Sequence, residues 1–409
     1  MIEIVPFLAD SPNVTDLPFL SEIFKIVEGA LRLDSTKVRN YAQLLAEKLD
    51  ANGDQPSARR LRRLLEEPGN QLRPLRMEQT ALPPVDGESR FPLLERVNAR
   101  GWESAVVLAD TQAATVDEFV HVVKHRAALD NLGLGGTPSL LLYGPPGCGK
   151  THLAVEIARR LELPIYAARL DGLISSFLGS TAKNIRAIFE FAARTPCILF
   201  LDEFDAIAKV RDDQQELGEL KRVVNSFIQT LDTFSRDLIV IAATNHQQLL
   251  DSAVWRRFAF QLEVGLPVAT TRERLWRQFA SEQGLSDRDL EILTDLSEGL
   301  PGAAIKAVAD RIKTRTITHR EAPTLKSAVR SLAAQGSATH TAAVLRPELL
   351  DDPVALQAVL AKRSAGLYSL AVLSAITGVP KSTLSRRLQS SENHQRKPRV
   401  NHARRTLVH

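Results

Sequence analysis

Cysteine is nearly missing from this chain of 409 residues, with only Cys148 and Cys197 present. A disulfide framework has nothing to build on, which reads as a reducing, cytoplasmic setting. Long apolar runs are missing too: no stretch approaches the roughly 20 residues needed to span a bilayer. The opening MIEIVPFLADSPNV has neither a basic nor an apolar leader region, so neither export nor membrane insertion is expected. There is no excess of aromatic residues (5%), no internal repeat and no long low-complexity run. Acidic residues are scarce at one end only. Over the last two dozen positions Arg386, Arg387, Arg396, Lys397, Arg399, Arg404 and Arg405 face Glu392 alone, a basic tail that the formal net charge of +4 hides.

What is present is an apolar fraction of 44% and a charged fraction of 24%, as in a soluble globular protein. The length exceeds what one hydrophobic core sustains, so two or three domains are expected. Apolar residues recur at helical spacing from Leu17 to Glu67, and Asn52-Gly53-Asp54 is a turn signal before an Arg-rich helix from Ser57 to Leu65. A small all-α N-terminal domain over 1–70 follows. Pro68, Pro74, Pro83, Pro84 and Pro92 make 71–110 a linker or irregular entry. Apolar runs at 139–143, 164–170, 197–202, 238–245 and 261–267 then alternate with helical patterns. Such runs are the mark of a parallel sheet covered on both faces, so 111–267 reads as an α/β domain with a parallel five-stranded sheet flanked by helices. Helical periodicity continues through 268–331, a helical lid, and through 332–409, an all-α C-terminal extension.

Gly144-Pro145-Pro146-Gly147-Cys148-Gly149-Lys150-Thr151 matches G-x-x-x-x-G-K-[ST] between a strand and a helix, the context that this phosphate loop requires. Glycines let successive N–H groups curl round a polyphosphate at the positive end of a helix. Lys150 brings a point charge to the terminal phosphates, and the Thr151 hydroxyl is a ligand for Mg²⁺. About 50 residues on, an apolar strand ends in Asp202-Glu203. Beside a bound nucleotide the two acids have separable jobs, Asp202 holding the metal and Glu203 polarising the attacking water.

The segments LLLYGPPGCGKTHLA, ILFLDEFDAIAKVR and IAATNHQQLLDSAVWRRF together resemble the AAA+ ATPases, and within them the AAA clade that remodels or unfolds other macromolecules. The likeness covers Val116 to Ile317. It implies a P-loop NTPase fold, ATP and Mg²⁺ as ligands, and a homo-oligomeric ring, with a hexamer as the expected form. It makes Asn245 the polar sensor that orients the water with Glu203, and Arg256 and Arg257 the segment that reaches a neighbour's γ-phosphate. It places Gly302 and Ala303 in a lid segment against adenine. Ala259 and Ala304 stand where the family usually has acids.

Leu173 to Gly179 resembles the aromatic-hydrophobic-glycine pore loop of AAA unfoldases, with Phe177, Leu178 and Gly179 as the grip on a polypeptide. Near the end, LYSLAVLSAITGVPKSTLSRRLQ has an apolar helix, a four-residue TGVP turn and a second helix, the shape of a helix-turn-helix. Lys381, Ser382, Thr383, Arg386 and Arg387 would then face DNA; alternatively this is a helical pair closing the lid, followed by a solvated basic tail. Two functions compete: an ATP-driven ring that threads a protein client, alone or for a partner enzyme such as a protease, and a DNA-associated loader or regulator.

Overall fold

A computed structural model describes residues 19–32, 34–66, 83–87, 89–98, 105–134, 136, 138–169, 178–205, 217–234, 238–280, 284–320, 322–338, 345–363 and 366–395. The chain forms two compact units, Met1–Pro145 with Gly149–Gly265, and Pro146–Cys148 with Leu266–His409.

The first unit opens with three helices, α1 (Leu20–Leu31), α2 (Ser35–Ala51) and α3 (Gln55–Glu66). Each break has a local cause. The Asp34 carboxylate accepts from the Lys37 N–H at 3.0 Å and caps α2, and the Asp54 carboxylate accepts from the Ser57 N–H at 3.2 Å at the start of α3. Between them Gly53 takes φ +87°. Ion pairs Lys48–Glu22 (3.1 Å) and Lys37–Glu28 (3.2 Å) join α1 to α2, and Asn40 donates to the Arg194 carbonyl (3.3 Å), seating α2 on the body of this unit.

That body is a sheet of β1 (Leu94–Arg96), β2 (Ser139–Tyr143), β3 (Ile165–Ala168), β4 (Ile198–Leu201), β5 (Val240–Thr244) and β6 (Phe260–Glu263), in the order β1-β3-β4-β5-β2-β6. Strands β2 to β6 are parallel and coincide with the five apolar runs. β1 is an addition, antiparallel to β3 and inside the stretch expected to be irregular. Its three residues bury Leu94 alone, too short a pattern to stand out beside Pro92. Helices α4 (Asp110–Lys124), α5 (Arg126–Asn131), α6 (Lys150–Leu161), α7 (Leu178–Arg194), α8 (Leu217–Thr233) and α9 (Ser252–Trp255) belong to the same unit. Leu140, Leu141 and Leu142 are wholly buried, so both faces of β2 are covered.

The second unit is helical: α10 (Ala269–Ala280), α11 (Asp287–Leu296), α12 (Gly302–His319), α13 (Leu325–Ala338), α14 (Pro353–Ala361), α15 (Leu370–Thr377) and α16 (Lys381–Gln395). One core runs from Trp276 to Leu384, so the residues read as lid and those read as C-terminal extension share it. Trp276 is fully buried and its indole N–H donates to Ser297 Oγ at 3.0 Å. Asp295 of α11 accepts from Arg363 (3.1 Å) and from the Tyr368 hydroxyl, which holds the approach to α15 against α11. No described helix is long and apolar enough to cross a membrane.

Candidate functional site

The chain passes from β2 outward to β3, returns through β4 and β5, and then crosses β2 to reach β6. The order reverses beside β2, and in open α/β sheets ligands bind at such a reversal, outside the carboxyl ends of the strands. The loop after β2 starts at that reversal.

Gly144 leaves β2 at φ +138°, where a Cβ would come within 2.4 Å of the Val264 carbonyl oxygen. No other residue fits between the end of β2 and the chain leaving β6. Gly149, at φ +98°, is the N-cap of α6. The first residue of that helix, Lys150, is only 7% exposed. Its ammonium donates to the Gly144 and Pro145 carbonyls at 2.7 and 2.8 Å, so the charge is held under the arch of the loop and not out in water. Pro146, Gly147 and Cys148 group with the second unit, where the Ala303 N–H donates to the Gly147 carbonyl at 3.0 Å beside Gly302, the first residue of α12.

Thr151 and Asp202 come together although 51 positions separate them, the hydroxyl donating to Asp202 Oδ2 at 2.9 Å. The other carboxylate oxygen accepts from the Glu203 N–H at 2.9 Å. Glu203 is exposed and holds φ +49°, a left-handed conformation that a side chain with a Cβ adopts at a cost of about 1 kcal/mol. Next to it Phe204 is 2% exposed and packs on Phe227 (5.1 Å between ring centres) and Phe258 (6.1 Å). A buried ring thus fixes the turn whose preceding carboxylate faces solvent.

Sequence reading missed Asp205. It is 4% exposed and accepts from Thr244 Oγ1 (3.1 Å) and the Asn245 N–H (3.4 Å), while the Phe204 N–H donates to the Ala243 carbonyl (2.8 Å). These bonds lock the end of β4 to the end of β5 and bring the backbone of Asn245 to the turn of Glu203. The signal was available in DEFD, where the second Asp stands three residues after the first, but a carboxylate buried by a neighbouring strand has no periodicity to betray it. Ser139 was missed likewise. It donates to the Arg257 carbonyl and accepts from the Ala259 N–H, both at 3.0 Å, so the start of β2 anchors the arginine pair. Both arginines are exposed; Arg257 pairs with Asp232 at 2.9 Å, while the Arg256 side chain has no ion pair or hydrogen bond among the described residues.

Leu178 and Gly179 lie in the first turn of α7, and Phe177 falls outside the described residues. Lys381, Ser382, Thr383, Arg386 and Arg387 all lie on α16, in the second unit.

Residues 140–266 match the family model described as ATPase family associated with various cellular activities (AAA). An uncharacterized AAA family ATPase, y4kL, of Sinorhizobium fredii is 40% identical over 223 residues, 54% of this chain and 66% of that relative. The proteasome-activating nucleotidase of Thermococcus gammatolerans is 34% identical over 208 residues, 49% of this chain and 52% of the relative. The ATP-dependent zinc metalloprotease FtsH of Thermus thermophilus is 33% identical over 206 residues, 48% of this chain and 33% of the relative. The chain therefore spans 66% of the length of the first of these relatives and about half or less of the other two.

Proposed function

Because the chain belongs to the AAA family of ATPases, we propose that it hydrolyses ATP and spends the turnover on remodelling, unfolding or threading a protein client through a ring of its own copies, with six as the expected number. The reading rests above all on one observation, the hydroxyl of Thr151 bonded to Asp202 at the mouth of the Gly144 arch, with Glu203 beside it. Gly144 to Thr151 would hold the polyphosphate through backbone N–H groups, and Lys150 would supply charge to its terminal phosphates. Thr151 and Asp202 offer the protein oxygens for Mg²⁺, which when bound would neutralise charge gathering on the phosphate oxygens. Glu203, aimed outward by its left-handed backbone, would accept a hydrogen bond from the attacking water, and the Asn245 amide would orient that water. Gly302 and Ala303 would offer a helix start of small residues to a flat base.

Phosphoryl transfer is mostly positioning and charge stabilisation, so a cation from a second subunit completes the site. Arg256 and Arg257 are the candidates. Phe177, Leu178 and Gly179 would grip the client, as an aromatic side chain can intercalate between extended side chains regardless of their sequence. Two of the relatives carry names that couple an ATPase to protein breakdown, which favours a polypeptide as client and a partner such as a protease. A reducing cytoplasm suits Cys148 and Cys197, both of them thiols.

The test is Glu203→Gln. We expect it to bind ATP with Mg²⁺ in calorimetry, to accumulate as assemblies in mass photometry, and to lose about 10²–10⁴-fold in steady-state turnover. Hydrolysis at the parent rate would remove Glu203 from this role. With Phe177→Ala, stimulation of turnover by an unfolded protein should disappear while basal turnover remains; persistence of the stimulation would count against threading.

A further inference from the structure

Helices α14, α15 and α16 pack on one another as three short helices, and the second and third are joined by a tight turn. Gly378 makes that turn at φ +76°, and Ser374 Oγ donates to the Val379 carbonyl at 2.7 Å to close it. On α16 the apolar side is committed inward, with Leu384 at 0% and Leu388 at 9% exposure. Ser382, Arg386 and Gln389 are exposed and stand at i, i+4 and i+7, one face of the helix. Exposed Arg387 flanks that face, and exposed Lys381 lies at its N-terminal end. Lys326 of α13 reaches over the turn: its ammonium lies 2.4 Å from where a Cβ of Gly378 would be. Among the described residues, Lys326, Lys381, Arg386 and Arg387 have no ion pair, and beyond them the sequence adds Arg396, Lys397, Arg399, Arg404 and Arg405.

We propose that this three-helix region is a duplex-DNA site, with α16 entering the major groove. Ser382, Arg386 and Gln389 are the side chains that reach base edges, and Lys326, Lys381 and Arg387 meet the phosphates on either side. The occupant follows from the chemistry. Cations with no ion pair among the described residues ring a polar face of serine, arginine and glutamine on which no described large apolar residue is exposed. A protein partner would want an apolar centre on that face. A helix of 15 residues is about 22 Å long and fits a groove about 12 Å wide with its first two turns presented to the bases. The first acid in the sequence of α16 is Glu392, six positions after Arg386 and ten after Ser382, so Lys381 to Gln389 contain no acid. Arginine to guanine and glutamine to adenine are the pairings that this face offers.

The experiment is fluorescence anisotropy of a labelled mixed-sequence 25-base-pair duplex with the full chain, titrated across salt, alongside single-stranded RNA of equal length. We expect duplex binding whose log–log salt slope is steep, weaker binding of the RNA, and loss of about tenfold or more in affinity for Arg386→Ala/Arg387→Ala. The slope should fall by roughly one for each phosphate contact removed. Arg60→Ala/Arg63→Ala, which removes the same charge from exposed positions on α3, should bind as the parent does, and basal ATP turnover should be unchanged in both variants. Selection from random duplexes should yield a preferred short motif for the parent that Gln389→Ala relaxes at one position. The proposal is overturned if no duplex binding occurs, if the RNA binds as well as the duplex, if Arg386→Ala/Arg387→Ala binds normally, or if ending the chain at Gln395 abolishes the binding that Arg386→Ala/Arg387→Ala retains.

Discussion

At the scale of single residues, the loop after β2 is governed by close approach. An alanine at Gly144 would put its Cβ 2.4 Å from the Val264 carbonyl, on a backbone at φ +138° that side chains avoid. Gly144→Ala should therefore displace the arch and weaken ATP binding at least tenfold in calorimetry while far-ultraviolet dichroism stays that of the parent. The two thiols should differ as sharply. Burial pushes the Cys197 thiol up to about 12, whereas Cys148 is only half-buried on the loop. Only the thiolate reacts, so a maleimide at pH 7.5 should label Cys148 alone in the folded protein, and ATP with Mg²⁺ should slow that labelling. Labelling of Cys197 at a comparable rate, read by peptide mass spectrometry, would contradict the packing around β4. Asp205 belongs to this scale as a positioning residue: Asp205→Ala frees the ends of β4 and β5, so turnover should fall while the affinity for ATP holds.

Among elements, the contact of Tyr368 and Arg363 with Asp295 holds the approach to α15 on α11. Burial first, and then the hydrogen bond to Asp295, push the Tyr368 phenol above its ordinary value. The folded chain keeps a proton that the unfolded chain begins to release near pH 10, so this contribution is whole below about pH 10 and declines as pH rises past it. Tyr368→Phe lacks it. The variant should unfold earlier in urea at pH 8, by about 1.5–3 kcal/mol, the worth of a hydrogen bond to a charged group. The gap from the parent should narrow above about pH 10; a gap constant to pH 11 would show that the carboxylate is not the partner that matters. Trp276 anchors the same core from the other end, and losing its volume in Trp276→Ala should cost about 3–5 kcal/mol.

For the whole molecule, the decisive question is whether one chain holds a complete site. The Arg256 side chain has no ion pair or hydrogen bond among the described residues, and Arg257 is bonded to Asp232. Arg256→Ala should keep ATP binding and lose about 10³-fold or more of turnover. Mixing Arg256→Ala with Lys150→Ala, each inactive alone, should recover part of the activity, because some interfaces then join an intact loop to an intact arginine. A mixture as inactive as its components would mean that the arginine does not act in trans. The sequence by itself determined the elements whose signals are local: the five parallel strands as apolar runs, the helical character of the N-terminal segment by its period and the Asn52-Gly53-Asp54 turn, and the loop after β2 by glycines that backbone geometry demands. Tertiary structure alone decided what depends on distant partners. It added β1, which exists only because β3 offers an edge, and brought Asp205 under Thr244 and Ser139 under Arg257. It also joined the last helices to the core around Trp276. Such contacts leave no mark on spacing, since a buried carboxylate or hydroxyl is stabilised by whichever strand the fold lays beside it, and that choice is made by the packing of the whole sheet.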